Sequence, residues 1–150
     1  MAESAFGGPV IVDNSAWARL LRGRVSEAIR ARWVEALERD EILVCDPFRL
    51  EALYSARDAE HFATLSAELD ALCQAPCDEN VWQLAHRAQA ALARDRRVSH
   101  RVAPVDLLVA AAAHRHGVGV LHYDHDFELL SQHTELKFRS RWLARRGSLD

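Results

Sequence analysis

The chain has 150 residues, a hydrophobic fraction of 49%, a charged fraction of 27% and a formal net charge of −3. These values suit one folded unit with a real apolar core and exclude a disordered or fibrous chain. The mildly acidic balance excludes a surface that is basic throughout, so any contact with nucleic acid must be local.

Residues 1–8 read as a flexible leader. They carry Glu3 early and lack a basic n-region, so they make a poor signal peptide. Residues 9–150 read as a single domain. Pro9–Val12 is expected to be a short strand ending at Asp13. A helix follows at once, capped by Asn14 or Ser15, with Trp17, Leu20 and Leu21 on one side and Gly23 at its end. The next helix is expected over Ser26–Arg39, its stripe formed by Ile29, Trp33 and Leu37. Ile42–Cys45 is a β-branched strand. Asp46 and Pro47 then open a helix, with Phe48, Ala52 and Ser55 on one face and Leu50, Leu53 and Tyr54 on another.

Asp58–Leu72 is expected as a helix with Phe62, Leu65 and Leu69 inward, and Ala71–Ala75 as the place of a brief third strand. Glu79–Arg96 is a long helix carrying Val81, Trp82, Leu84, Ala85, Ala88 and Leu92. A loop over Val98–Val102 leads to Pro104 and an apolar helix, Val105–His116, stopped by Gly117. Val118–His122 is a fourth strand, Tyr123–Asp126 a turn, Phe127–Ser131 a short helix, and Leu136–Phe138 an edge strand. Short apolar strands alternating with longer helices indicate an α/β sandwich around a mostly parallel sheet. Sites in such folds form at the carboxyl ends of the strands, near a change in strand order.

No run approaches the roughly 18 apolar residues of a membrane helix. The three cysteines, Cys45, Cys73 and Cys77, are an odd number and read as free thiols in a reducing compartment, with the cytoplasm as the default location. Cys73 and Cys77 lack the second pair that a tetrahedral metal site needs. Two basic clusters stand out, Arg94, Arg96, Arg97 and Arg101 with His100, and Lys137, Arg139, Arg141, Arg145 and Arg146. They suit either phosphate contacts or plain solubility.

Four acids fall where a soluble core has no need of them. Asp13 ends the first strand, Glu51 lies early in the helix after the second, Asp106 opens the most apolar helix, and Asp124 follows the fourth strand. All are expected at one edge of the sheet. Ordinary roles are available to each: a cap for Asp13, a surface acid for Glu51, a favourable helix dipole for Asp106. In YDHDF, Asp124 and Asp126 compete for one role. Converging carboxylates repel one another unless a cation neutralises them, and a set of hard oxygen donors suits Mg2+ or Mn2+. One or two such ions could activate water against a phosphodiester. Asn14 and Ser15 could position water, metal or phosphate, or simply begin the helix. His122 and His125 read as exposed turn residues, and the four tryptophans as packing residues, Trp142 being the least clear.

The segments VIVDNSAWARLLRG, CDPFRLEALYSAR and PVDLLVAAAAHRHGVGVLHYDHDF resemble, in order, the motifs of the PIN domain, and within it the toxins of the VapC type from prokaryotic toxin–antitoxin pairs. The resemblance runs from about Val10 to Phe138. Any single motif is weak; the ordered set, with 18 residues from Asp106 to Asp124, is specific. Asn14 departs from the Ser or Thr frequent there. The resemblance implies a PIN-like three-layer sandwich and a Mg2+- or Mn2+-dependent endoribonuclease that leaves 5′-phosphate and 3′-hydroxyl ends. Asp13, Glu51, Asp106 and Asp124 would hold metal and water; the choice between Asp124 and Asp126 stays open, with Asp126 kept as a second metal ligand or a helix cap. It also implies structured RNA (tRNA or rRNA) as substrate, a homodimer, and a VapB-type antitoxin seated near Trp17 and Leu21. Promoter DNA would be bound only through that antitoxin.

Other classes fit less well. A non-catalytic RNA- or protein-binding module would not need four acids. A dehalogenase-like phosphatase would have Asp-x-Asp where Asp13-Asn14-Ser15 stands. A receiver domain needs a late lysine at a strand end, and the only lysine is Lys137. A dinucleotide site needs a glycine-rich first turn. A metal-dependent DNA nuclease stays open, since acids do not read the 2′-hydroxyl.

Overall fold

The computed structural model describes residues 3–149. Met1 and Ala2 of the expected leader, and Asp150, lie outside the described residues. In chain order the elements are β1 (Val10–Val12), α1 (Asn14–Leu21), α2 (Glu27–Glu38), β2 (Ile42–Val44), α3 (Asp46–Tyr54), α4 (Ala59–Asp70), β3 (Cys73–Gln74), α5 (Glu79–Arg94), α6 (Pro104–His116), β4 (Gly119–His122), α7 (Asp126–His133) and β5 (Ser140–Trp142). The strands form one sheet in the order β3-β2-β1-β4-β5, every pair parallel. The fold is an α/β sandwich with a short central sheet flanked by helices.

The central strands are apolar throughout because parallel strands between helix layers are covered on both faces. All three residues of β1 and all four of β4 are buried. Their register pairs Val12 with Leu121, so Asp13 and His122 come next at the carboxyl edge. Gly119 is required by close approach: a Cβ there would meet the Arg139 carbonyl oxygen at 2.9 Å and Val10 at 3.1 Å.

Helix α6 is the central helix. Proline opens it, and Gly117, at φ +66°, ends it in the left-handed conformation. Its residues from Leu107 to Ala113 are all buried, and it packs against α3, α5, α7 and β4. The run of alanines suits the close approach of several neighbours. Elsewhere local chemistry sets the starts: Ser26, Asp58 and Asp78 cap α2, α4 and α5 by accepting from the backbone N–H of Ile29, His61 and Val81.

Several expectations are corrected. Residues 3–8 are not a loose arm: Phe6 is buried, and the Arg32 guanidinium stacks on its ring and donates to the Ala5 carbonyl. The edge strand is β5, not Leu136–Phe138. Leu136 is instead buried, and Phe138 packs edge-on against Phe127. Apolarity there serves packing, while the polar SRW segment makes the ladder with β4. In α4 the buried stripe is Leu65 and Leu69, leaving Phe62 exposed. Trp82 is also exposed, and α2 buries Trp33 and Ala36 while Ile29 and Leu37 are only partly covered. Among the described residues no helix is long and apolar enough to cross a membrane.

Ala111 is fully buried in α6, so Ala111→Leu overfills this layer. It should lower unfolding free energy by about 1–3 kcal/mol in urea denaturation; an unchanged midpoint would contradict the packing described.

Candidate metal centre

The connections of the sheet reverse direction between β1 and β4, which leaves an open crevice at their carboxyl ends. The Asp13 backbone N–H donates to the Leu121 carbonyl at 2.9 Å and ties the two strand ends together. Asp13 caps α1 directly after β1, and Asp124 follows β4. Helix α6 brings Asp106 in its first turn, and α3, packed on α1 and α6, brings Glu51.

Asp106, Asp124 and Asp126 offer carboxylate oxygens that all lie within 4.8 Å of one another. Both aspartates of YDHDF therefore join Asp106, and the Asp126 backbone N–H donates to Asp124 Oδ1 at 2.9 Å. Asp13 and Glu51 are not in that tight group but act on it through charge. Asp13 is buried. Its Oδ2 accepts from the Ser15 backbone at 3.0 Å and from the Ser15 hydroxyl at 2.7 Å. Its Oδ1 is buried with no hydrogen-bond partner.

The residues beside the acids have definite work. Ser15 Oγ, while donating to Asp13, accepts from the Tyr123 backbone N–H at 2.8 Å, linking α1 to the turn after β4. The Asn14 side chain favours the charged form of Glu51 and opposes the rise of its pKa. His122 is not an exposed turn residue: it is fully buried, packed against Phe127 and Trp142. Its Nδ1 accepts from the Asp124 backbone N–H at 3.2 Å, so the proton of the neutral ring sits on Nε2, 2.7 Å from Ser140 Oγ. Burial holds its pKa down to about 4. Trp142 is a packing residue that donates to Glu128 and meets Tyr123 edge-on. The sequence signals for Ser15 and His122 are weak, since a hydroxyl two residues after Asp13 also suits a helix start, and a histidine before YDHD suits a turn.

Burial is the largest cause of raised carboxyl pKa values here. It raises Asp13, where Ser15 opposes it and Asp124 adds repulsion. It raises Glu51 and Asp126 as well, helped by Asp13 and Asp124 respectively. Asp106 is pushed up to about 8, by burial first and then by the charges of Asp13, Asp124, Asp126 and Glu51. Such a cluster fits a hard divalent cation on three grounds: its donors are all carboxylate oxygens, one buried oxygen of Asp13 is orphaned, and its span suits a small ion. Opposite oxygens around Mg2+ stand about 4.2 Å apart.

The raised values fix a sign for pH dependence. Without metal, the folded protein holds an Asp106 proton that the unfolded chain releases above its ordinary carboxyl range. That stabilisation is complete at low pH and is lost as pH rises towards about 8. In EDTA, melting temperature should therefore carry a downward contribution between pH 5 and 8, and Asp106→Asn should flatten it. Equal slopes in thermal melts of the two proteins would contradict this electrostatic picture.

The chain matches the PIN domain family model over residues 10–132. It is 37% identical over 139 residues to Ribonuclease VapC18 of Mycobacterium tuberculosis, covering 92% of this chain and 97% of that one. It is 32% identical over 123 residues to Ribonuclease VapC17 of the same organism, covering 81% and 86%. Among solved structures, DNA-bound VapBC from Salmonella typhimurium superposes with a TM-score of 0.72 at 17% identity, over 91% of this chain and 98% of that one. VapBC-5 from Mycobacterium tuberculosis gives 0.57 at 19%, over 89% and 98%. The structural likeness shows the fold, and the sequence matches show the family: the chain belongs to the PIN domain family and is closely related to its VapC toxins.

Proposed function

We propose that the protein is a Mg2+- or Mn2+-dependent endoribonuclease toxin that cuts structured cellular RNA, of the tRNA or rRNA class, in the cytoplasm and so stops translation. The cluster of carboxylates at the β1–β4 crevice, with Asp13 and Asp106 buried and Asp124 and Asp126 half-buried, carries this reading. Asp13, Glu51, Asp106 and Asp124 would hold the ion, with Asp126 as an additional ligand. When bound, the ion would acidify a water molecule and offset charge on the phosphoryl oxygens. The chain's own residues set the geometry: Ser15 fixes Oδ2 of Asp13 and leaves Oδ1 available, Asn14 steadies Glu51, and His122 anchors the backbone of Asp124.

Two surfaces support the partners. A cavity of about 360 Å3 is lined by Trp17, Leu20, Leu21, Trp33 and Leu37, and a more polar one beside it continues past Trp17 and Leu21 to Asn14. This apolar groove suits an amphipathic segment of a VapB-type antitoxin, whose leading end would reach the acids; contact with promoter DNA would belong to the antitoxin. On another face, Leu50, Tyr54 and Trp82 are 73%, 91% and 49% exposed around a cavity of about 470 Å3 that Glu51 helps to wall. Large exposed apolar side chains grouped in this way suit a second copy of the chain.

Antitoxin-free protein with Mg2+ or Mn2+ should make discrete cuts in total prokaryotic RNA and spare the DNA equivalent. EDTA or Asp13→Asn should reduce cleavage to background. Uncut RNA with both metals would sink the enzyme reading, and equal cleavage of DNA would move it to a general nuclease. For the second surface, Tyr54→Asp with Trp82→Asp should convert dimer to monomer in light scattering without loss of helical signal. A wild-type monomer would remove the dimer.

A further inference from the structure

The basic run from Lys137 to Arg146 separates on folding into two parts. Arg139 donates to the Pro9 carbonyl at 2.8 Å, and Arg141 lies against Gly7, so both brace the amino-terminal segment. Arg145 and Arg146 are exposed on a hook that closes the chain. One end of the hook is pinned to the last residue of β4 and the other to the residue that follows it. The Leu143 backbone N–H donates to the His122 carbonyl at 2.8 Å, and the Leu149 backbone N–H donates to the Tyr123 hydroxyl at 2.9 Å. Gly147, at φ +78°, lets the chain reverse between them, and Ser148 closes the turn by donating to the Arg145 carbonyl.

The hook sets the Arg146 guanidinium 3.1 Å from His125 Nδ1, and His125 lies between Asp124 and Asp126 in the chain. Arginine has only donors, so Nδ1 accepts. Among the described residues Arg146 has no carboxylate partner, although acids flank its neighbour on both sides. A cation held against the histidine that separates two of these acids in the chain, and without a carboxylate partner among the described residues, is suited to an anion that must approach them. A polynucleotide meets net repulsion from the acids and needs cations for the phosphates on either side of the one being cut.

We infer that Arg146, steadied by His125, is a positioning residue that holds an RNA backbone phosphate next to the scissile one. This rests on the nuclease reading above, but its test does not require cleavage. Bulk transfer RNA is bound to the full chain in EDTA over a range of salt concentrations, comparing wild type, Arg146→Ala, Arg146→Lys and the distant exposed Arg24→Ala. Loss of one phosphate contact should weaken binding severalfold and flatten the slope of log affinity against log salt by about 0.7–0.9. Arg146→Lys should keep most of the slope, and Arg24→Ala all of it. The proposal is overturned by an unchanged slope in Arg146→Ala, by an equal change in Arg24→Ala, or by wild type that does not bind. Cleavage by the same wild-type sample with Mg2+ judges the nuclease reading separately, since RNA can be cut while the Arg146 slope stays unchanged.

Discussion

Carboxylates held together in a crevice partly shielded from water repel one another, and this repulsion governs the carboxyl edge of the sheet. Burial makes each charge costly, and each charge raises the cost of the next. Asp106 suffers most because it sits in the first turn of the most buried helix and feels four other acids. The surrounding structure holds these acids together rather than dispersing them. Ser15 bridges Asp13 to the Tyr123 backbone, and His122, kept neutral by burial, can accept a backbone hydrogen bond without adding a charge of its own.

The fold supplies this arrangement at small extra cost. Parallel strands end together, so residues that follow β1 and β4 meet without any long loop. Helix α6 must be apolar to fill the space against α3, α5 and α7, and its opening turn lies where Asp106 is needed. Placing an acid there sacrifices some stability of the metal-free protein, as sites with function often do. The aromatic group of His122, Tyr123, Phe127 and Trp142 packs behind the acids and also fixes the hook that carries Arg146.

Much of this is legible in the sequence, for identifiable reasons. β1, β2, β4 and α6 stand out because residues covered on both sides leave continuous apolar runs, and Asp13 and Asp106 stand out because they interrupt them. Glu51 is readable from its place in the helix that follows β2, and Asp124 from its place just after β4. What stays hidden is set by tertiary packing. Ser140–Trp142 is polar because an edge strand needs only its backbone, so the more apolar Leu136–Phe138 takes its place in the sequence reading. Phe62 and Trp82 fall on helical stripes yet lie exposed, because periodicity does not tell how wide a face a neighbour covers. Asp124 and Asp126 compete in the sequence but stand together in the structure, since the turn folds one backbone N–H onto the other's carboxylate. The burial of His122 depends on Ser140 and Trp142, which lie 18 and 20 residues further on, and no local pattern announces it.

The central claim is that these acids form a site for a divalent cation. Titration of metal-free protein with Mn2+ near pH 7, by calorimetry in buffers of different ionisation enthalpy, tests it most directly. Saturable binding that releases about one proton, with both the binding and the release lost in Asp106→Asn, is the predicted result. No binding, or binding that Asp106→Asn leaves intact, would contradict it.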